Sequence, residues 1–159
     1  MKNSRKIIWL TGQPGSGKTT LANSLIDNLS KEKPEIKIIN IDGDDLRNIS
    51  KNKDYSKEGR IKNISTAISI MRFLANKRYL CIVSIVAPYK FLRDELKEDF
   101  PFLEIYLHTS DIRGREKFFA KDYEIPTDPN TLSIDTGELT IKESADEILN
   151  VYRKMATVA

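Results

Sequence analysis

The sequence predicts an α/β fold with three layers, in which a parallel sheet of about five strands carries helices on both faces. Two observations predict it. Short apolar runs rich in Ile, Val, Leu and Tyr alternate along the chain with longer segments of helical period. The chain has 159 residues, of which 40% are hydrophobic, so it matches one ordinary domain that buries its own core. Such alternation favours a parallel sheet that is covered on both sides.

The predicted strands are the short apolar runs Ile7–Thr11, Ile36–Asp42, Tyr79–Ile85, Phe102–His108 and Thr131–Ile134. The predicted helices are the periodic segments Lys18–Lys31, Ile61–Lys77, Tyr89–Glu98, Ile112–Lys121 and Ile141–Met155. In parallel sheets of this kind, ligands bind at the carboxyl ends of the strands. Site residues are therefore expected directly after each strand.

Composition and charge exclude several classes of protein. A net charge of +3 is too small to favour a nucleic-acid partner. Cys81 is the single cysteine, which fits a reducing compartment. The basic start Met1–Lys6 precedes only four apolar residues, too few for a signal peptide, and no apolar run reaches the length of about 18 residues that a membrane span needs. We therefore expect a cytoplasmic protein that binds neither nucleic acid nor membrane.

A glycine-rich turn follows the first predicted strand. Residues 12–19, GQPGSGKT, match G-x-x-x-x-G-K-[ST], the P-loop (Walker A) pattern, between a strand and a helix. Such a loop wraps phosphates with its backbone N–H groups, so ATP is the predicted ligand. Lys18 is expected to bridge the β- and γ-phosphates, and the Thr19 hydroxyl to ligate Mg²⁺. The predicted nucleotide contacts are Gly12, Gly15, Ser16, Gly17, Lys18, Thr19 and Thr20. The loop alone leaves open a nucleotide-binding switch that transfers no phosphate.

Three carboxylates, Asp42, Asp44 and Asp45, follow the second predicted strand. Clustered carboxylates repel one another unless a cation lies near, so Asp42 is expected to share a Mg²⁺ with Thr19. A kinase also needs a group that orients or deprotonates the acceptor hydroxyl, and Asp44 or Asp42 suits that catalytic role. The alternative is that Asp44 or Asp45 only caps the next short helix.

The order of four motifs resembles the adenylyl-sulfate kinases. The phosphate loop is followed by DGDDLR (42–47), by SKEGRIKN (56–63) and by VSIVAPY (83–89). The resemblance runs from about residue 6 to residue 152. It implies one P-loop kinase domain over residues 1–159 that transfers the γ-phosphate of ATP to the ribose 3′-hydroxyl of adenosine 5′-phosphosulfate, and it leaves room for a homodimer.

The resemblance also implies the acceptor-binding residues. It places Asp44 at the acceptor hydroxyl and Arg47 at the phosphate and sulfate end. Tyr55 takes the place of a phenylalanine that stacks on the acceptor base, and Arg60 and Asn63 bind the same nucleotide. The turn at Ala87 and Pro88 also borders the acceptor, with Ala87 in place of the family's usual serine.

The resemblance is weakest in a short lid (residues 112–130, here called the lid segment), which is truncated relative to the family. The family's second base-stacking phenylalanine is missing, and Phe118, Phe119 and Tyr123 are the candidates to replace it. Cations at Arg113, Arg115 and Lys117 can stabilise the transferring phosphate, and Arg115 is assigned to the nucleotide.

Because the lid is truncated and one base-stacking phenylalanine is missing, the sequence leaves the identity of the acceptor nucleotide undecided. Adenylyl sulfate is the first candidate. A related nucleotide, such as cytidine diphosphoramidate from surface-polysaccharide synthesis, is the second. A nucleoside or shikimate-type kinase shares the phosphate loop but does not call for the other three motifs.

Overall fold

Five parallel strands form one sheet in a computed structural model of the chain, which describes residues 7–157. The strands are β1 (Ile7–Thr11), β2 (Ile38–Asp42), β3 (Leu80–Ser84), β4 (Phe102–His108) and β5 (Leu132–Asp135). Their order across the sheet is β2-β3-β1-β4-β5, and all four pairings are parallel. The predicted α/β class is confirmed, whereas the basic start Met1–Lys6 lies outside the described residues.

Five helices cover the two faces of the sheet. They are α1 (Lys18–Glu32), α2 (Gly43–Ser50), α3 (Lys57–Asn76), α4 (Lys90–Glu95) and α5 (Ile141–Thr157). Alternate residues of β1 enter opposite cores. Trp9 packs with α3 and α4 on one face, and Ile8 packs with α1 and α5 on the other. Because β1 lies in the middle, all of its residues are buried. Within residues 7–157, no helix is both long and apolar enough to cross a membrane.

The predicted helix Ile112–Lys121 is wrong. The structure has only a short 3-10 helix there, Glu116–Phe118. Gly114 adopts a left-handed conformation with φ of 77°, and the Glu116 carboxylate accepts hydrogen bonds from the backbone N–H groups of Arg113 and Gly114. Side chains thus take the place of helical hydrogen bonds in this part of the lid segment. Conversely, α2 is a helix for which the sequence predicted no bounds.

The end of the lid segment is tied to the sheet. The Tyr123 hydroxyl hydrogen-bonds with Thr11 Oγ1 at 2.7 Å. One guanidinium nitrogen of Arg93 donates to Glu124 O at 2.6 Å, and Glu124 N donates to Pro88 O at 2.8 Å. The lid segment is therefore anchored at the strand ends although it has little secondary structure of its own.

Arg93 is the most deeply buried charged residue among these anchors, because its exposed fraction is only 1%. It donates to Ala87 O at 2.7 Å and to Glu124 O at 2.6 Å, and it lies 4.0 Å from Glu104 Oε1. We expect Arg93→Met to lower the free energy of unfolding by about 3 kcal/mol. The buried carboxylate of Glu104 loses one neighbouring cation, and the carbonyl oxygens of Ala87 and Glu124 lose their hydrogen-bond donor. Urea denaturation measures this difference.

The matched control is Arg72, whose ion pairs with Asp99 and Glu95 lie at the surface. Exposed ion pairs contribute little, so Arg72→Met is expected to change the free energy of unfolding much less than Arg93→Met does. Equal losses in the two variants would contradict the role assigned to Arg93.

Candidate active site

The phosphate loop joins β1 to α1 and depends on two of its glycines. A Cβ atom on Gly12 would lie 2.3 Å from Leu107 O, which is too close for any side chain. Gly17 directly precedes α1 with φ of 95°, a left-handed conformation that strains other residues. The loop therefore passes close to β4 and turns sharply into the helix.

Lys18 lies at the start of α1 and is 8% exposed. Its Nζ donates to Gln13 O at 2.8 Å, to Gly12 O at 3.0 Å and to Ser16 Oγ at 3.3 Å. Burial lowers the pKa of Lys18 to about 7, and the nearby carboxylates of Asp44 and Asp42 oppose this shift. The ammonium group is thus held by loop oxygens beside the place where phosphates bind to such loops.

Asp42 ends β2 and is 6% exposed. Its Oδ1 accepts from the backbone N–H groups of Asp44 at 2.9 Å and Asp45 at 3.4 Å, so it caps α2. Its Oδ2 accepts from Thr19 Oγ1 at 2.6 Å and from Ser84 Oγ at 2.8 Å. The alternative in which Asp44 or Asp45 caps this helix is therefore wrong.

The neighbouring oxygens of Thr19 and Asp42 are metal ligands of the kind that Mg²⁺ prefers. In the described part of the chain, no group of three or more His, Cys, Asp and Glu side chains has the arrangement of a metal site. Mg²⁺ in kinases needs only one or two protein ligands, because phosphates and water supply the rest. The residues present therefore fit this ion.

A cavity of about 360 Å³ opens at the carboxyl edge of the sheet, between the phosphate loop, α2, α3 and the turn after β3. Most of the predicted site residues line it: Gly15, Gly17, Lys18, Thr19, Thr20, Asp42, Asp44, Arg47, Tyr55, Arg60, Asn63, Ala87, Pro88 and Arg115. Gly12 and Ser16 do not line it; both are buried. The sequence did not assign Ser84 or Ile64 to the site, although Ser84 directly follows a buried run and its hydroxyl reaches Asp42.

An aromatic pair lies where Tyr55 lines this cavity, although its partner Phe118 is not part of the lining. The rings of Tyr55 and Phe118 lie 4.9 Å apart between centroids, and the guanidinium of Arg47 lies 4.1 Å above the Tyr55 ring. Of the three candidates for the missing phenylalanine, Phe118 is thus the one that pairs with Tyr55. Tyr123 instead stacks on Tyr106 with centroids 5.9 Å apart.

Two arginines beside this pair bind backbone oxygens. Arg60 donates through Nε to Tyr55 O at 3.0 Å and through Nη2 to Phe118 O at 2.7 Å. Arg47 donates through Nη1 to Asp54 O at 2.8 Å. Burial lowers the pKa of Arg60 from its usual value. Arg60 therefore links the two aromatic residues through their own carbonyls.

The turn after β3 forms the wall opposite α2. Ala87 is in a left-handed conformation with φ of 43°, which is uncommon for a residue with a side chain. Arg93 Nη1 donates to Ala87 O at 2.7 Å, and Thr11 Oγ1 donates to Val86 O at 2.6 Å. These bonds hold the strained turn. The alanine offers the cavity backbone groups but no hydroxyl.

Cations of the lid segment lie over the phosphate loop. The guanidinium of Arg113 donates to Gly15 O at 3.1 Å and to Thr136 O at 2.9 Å, so it joins the loop to the end of β5. Arg115 Nη2 lies 3.9 Å from Asp44 Oδ2. Together with Lys18, they surround the loop with positive charge.

A second cavity, of about 260 Å³, lies on the other side of the loop and helix α1. It shares Gly17, Thr20 and Arg113 with the first cavity, and its remaining lining is largely apolar. These other residues are Leu21, Thr136, Leu139, Ile141 and Ser144. This cavity was not predicted from the sequence, although Thr136 lies just beyond the last predicted strand, at the edge where ligands are expected.

Comparison with known proteins agrees with this geometry. The family model described as adenylylsulphate kinase matches residues 4–130. A probable adenylyl-sulfate kinase of Aeropyrum pernix is 33% identical over 171 aligned positions, covering 92% of each chain. The adenylyl-sulfate kinase of Staphylococcus carnosus is 27% identical and covers 93% of this chain and 85% of its own.

A solved structure shares the fold. The APS kinase of Mycobacterium tuberculosis, solved in complex with AMPPNP and APS, superposes with a TM-score of 0.79 at 21% identity, over 94% of this chain and 98% of that one. The family match covers most of this chain, and the alignment with the Aeropyrum relative covers 92% of both chains. The chain belongs to the adenylylsulphate kinase family.

Proposed function

We propose that this protein transfers the γ-phosphate of ATP to the ribose 3′-hydroxyl of adenosine 5′-phosphosulfate. The observation that carries the proposal is a single cavity that is lined by the phosphate loop with Lys18, by Asp44 and by Tyr55, whose ring contacts Phe118. A nucleotide-binding switch has no need of this further space beside its phosphate loop.

ATP binds across the two cavities in this proposal. The cavities meet at Gly17, Thr20 and Arg113, so phosphates over the loop reach both of them. The ATP base occupies the second cavity, whose largely apolar lining suits a flat ring. The γ-phosphate then points into the first cavity, towards Asp44. Arg113 and Arg115 stabilise the charge of the transferring group.

The acceptor occupies the rest of the first cavity. Its base enters between the rings of Tyr55 and Phe118, which must separate from their present contact to admit it. Arg47 and Arg60 offer guanidinium groups to the phosphate and sulfate oxygens, which match that planar geometry. Asn63 supplies an amide at the same wall.

The chemical step follows from these positions. Asp44 orients the 3′-hydroxyl and accepts its proton while the hydroxyl oxygen attacks the γ-phosphorus. The bond from that phosphorus to the β–γ bridging oxygen breaks, and ADP leaves. Lys18 neutralises the phosphoryl oxygens. Thr19 and Asp42 would hold Mg²⁺, which would supply positive charge beside the phosphates of ATP.

Adenylyl sulfate is favoured over cytidine diphosphoramidate, because the relatives named above are adenylyl-sulfate kinases. A cytoplasmic location is part of the proposal, since the reaction draws on ATP. The homodimer expected from the sequence stays a prediction. A solved relative from Thiobacillus denitrificans is described as hexameric.

An acceptor panel tests the proposal. With γ-labelled ATP and Mg²⁺, we expect label on adenosine 5′-phosphosulfate and much less on cytidine diphosphoramidate, read by thin-layer chromatography. Preferential labelling of cytidine diphosphoramidate would show that this compound, and not adenosine 5′-phosphosulfate, is the acceptor. Release of labelled inorganic phosphate alone would indicate a nucleotide switch.

Replacing Asp44 tests its catalytic role. Asp44→Asn keeps the shape of the side chain but removes the base, so we expect kcat to fall by at least about 100-fold. The KM for each substrate is expected to stay within about threefold. Asp45→Asn is the matched control, because Asp45 is exposed and does not line the cavity. A loss confined to binding would refute the assignment.

Replacing Lys18 tests the phosphate loop. We expect Lys18→Ala to reduce kcat by at least about 100-fold, because no other group stands at the same place to neutralise the phosphoryl oxygens. Lys31→Ala changes an exposed lysine on the same helix and should leave turnover unaltered. An undiminished kcat in Lys18→Ala would reject the assignment.

A further inference from the structure

Gln13 belongs to the phosphate loop but does not line the nucleotide cavity. Its side-chain amide makes a two-point contact with the backbone of Ala120 in the lid segment. Nε2 donates to Ala120 O at 2.8 Å, and Oε1 accepts from Ala120 N at 2.9 Å. An amide side chain can satisfy a peptide group in this way at both its donor and its acceptor.

The Gln13 side chain supplies hydrogen bonds to the buried backbone of Ala120 that a helix or strand would otherwise supply. Ala120 is 4% exposed and lies just after the short 3-10 helix. A buried peptide group needs hydrogen-bond partners, and here no strand or helix supplies them. Gln13 therefore fixes the position of this part of the lid segment relative to the phosphate loop.

The fixed point lies two residues from Phe118. That residue is held from the other side by Arg60, whose Nη2 donates to Phe118 O at 2.7 Å. The Phe118 ring contacts Tyr55 with centroids 4.9 Å apart. Phe118 thus lies between an anchor on the phosphate loop and an anchor on α3.

We infer that Gln13 is a positioning residue for acceptor binding, because its contact with Ala120 sets the place of Phe118 relative to the phosphate loop. This inference rests on the proposed function, in which Phe118 borders the acceptor base. The ATP-binding loop and the acceptor-binding wall are then parts of one hydrogen-bonded unit.

The rest of the lid segment does not depend on Gln13. Tyr123 bonds with Thr11, and Glu124 is held by Arg93 and by Pro88 O. Loss of the Gln13 contact therefore loosens the stretch around Phe118, which keeps the bond from Arg60 to Phe118 O and the bond from Tyr123 N to Ala120 O at 3.3 Å. A local effect on acceptor binding is expected rather than unfolding of the domain.

The experiment uses Gln13→Met, which has similar length but no amide. We expect the KM for adenosine 5′-phosphosulfate to rise about tenfold, since two hydrogen bonds that place the wall are lost. The kcat and the affinity for AMPPNP are expected to stay within about threefold. Gln13→Glu keeps the acceptor for Ala120 N but loses the donor, so an intermediate KM is expected. Thr127→Ala, at an exposed residue of the lid segment, is the control and should match the wild type.

A double-mutant cycle separates positioning from a merely structural role. Phe118→Ala alone should raise the acceptor KM, and Gln13→Met should then add nothing in the Phe118→Ala background. An equal rise in both backgrounds, or an unchanged acceptor KM in Gln13→Met, would overturn the inference. Failure of the wild type to phosphorylate any nucleotide would instead overturn the proposed function.

Discussion

The carboxylate of Asp42 joins four elements at the edge of the sheet that borders the phosphate loop and the larger cavity. One oxygen caps α2. The other accepts hydrogen bonds from the hydroxyl groups of Thr19, at the start of α1, and Ser84, at the end of β3. Burying a charge is costly unless hydrogen bonds surround it, and here four donors do so. Asp44, which follows two positions later on α2, gains its place beside the phosphate loop from this arrangement.

Much of the fold was predictable because its signals are local. Buried runs such as Ile7–Thr11 read as strands, and the glycine pattern from Gly12 to Lys18 required one particular turn. Most predicted site residues meet in one cavity because the carboxyl ends of parallel strands share an edge. A short helix after the three carboxylates was expected, but its bounds were not, because its polar sequence hides its period; its cap is Asp42 and not Asp44 or Asp45.

The lid segment and the second cavity escaped prediction for a different reason. Hydrogen bonds join the lid segment to residues far away in the chain: Arg113 donates to Gly15, and Gln13 and Arg60 donate to Ala120 and Phe118. These contacts override helical propensity. No window of sequence contains such partners. Likewise, Thr136 and Leu21 line one cavity only after the sheet has brought β5 beside the start of α1.

The positive charges of Arg47 and Arg60, beside the Tyr55–Phe118 pair, affect how fast anionic ligands reach the site. Arg47 and Arg60 donate to carbonyl oxygens, which carry no net charge, so both guanidinium groups keep their full positive charge. The carboxylates of Asp54 and Asp122 balance part of that charge. Dissolved counterions balance the rest, and an arriving anion displaces them. The site attracts anionic nucleotides from a distance through the field of these cations, and this attraction weakens as ionic strength rises.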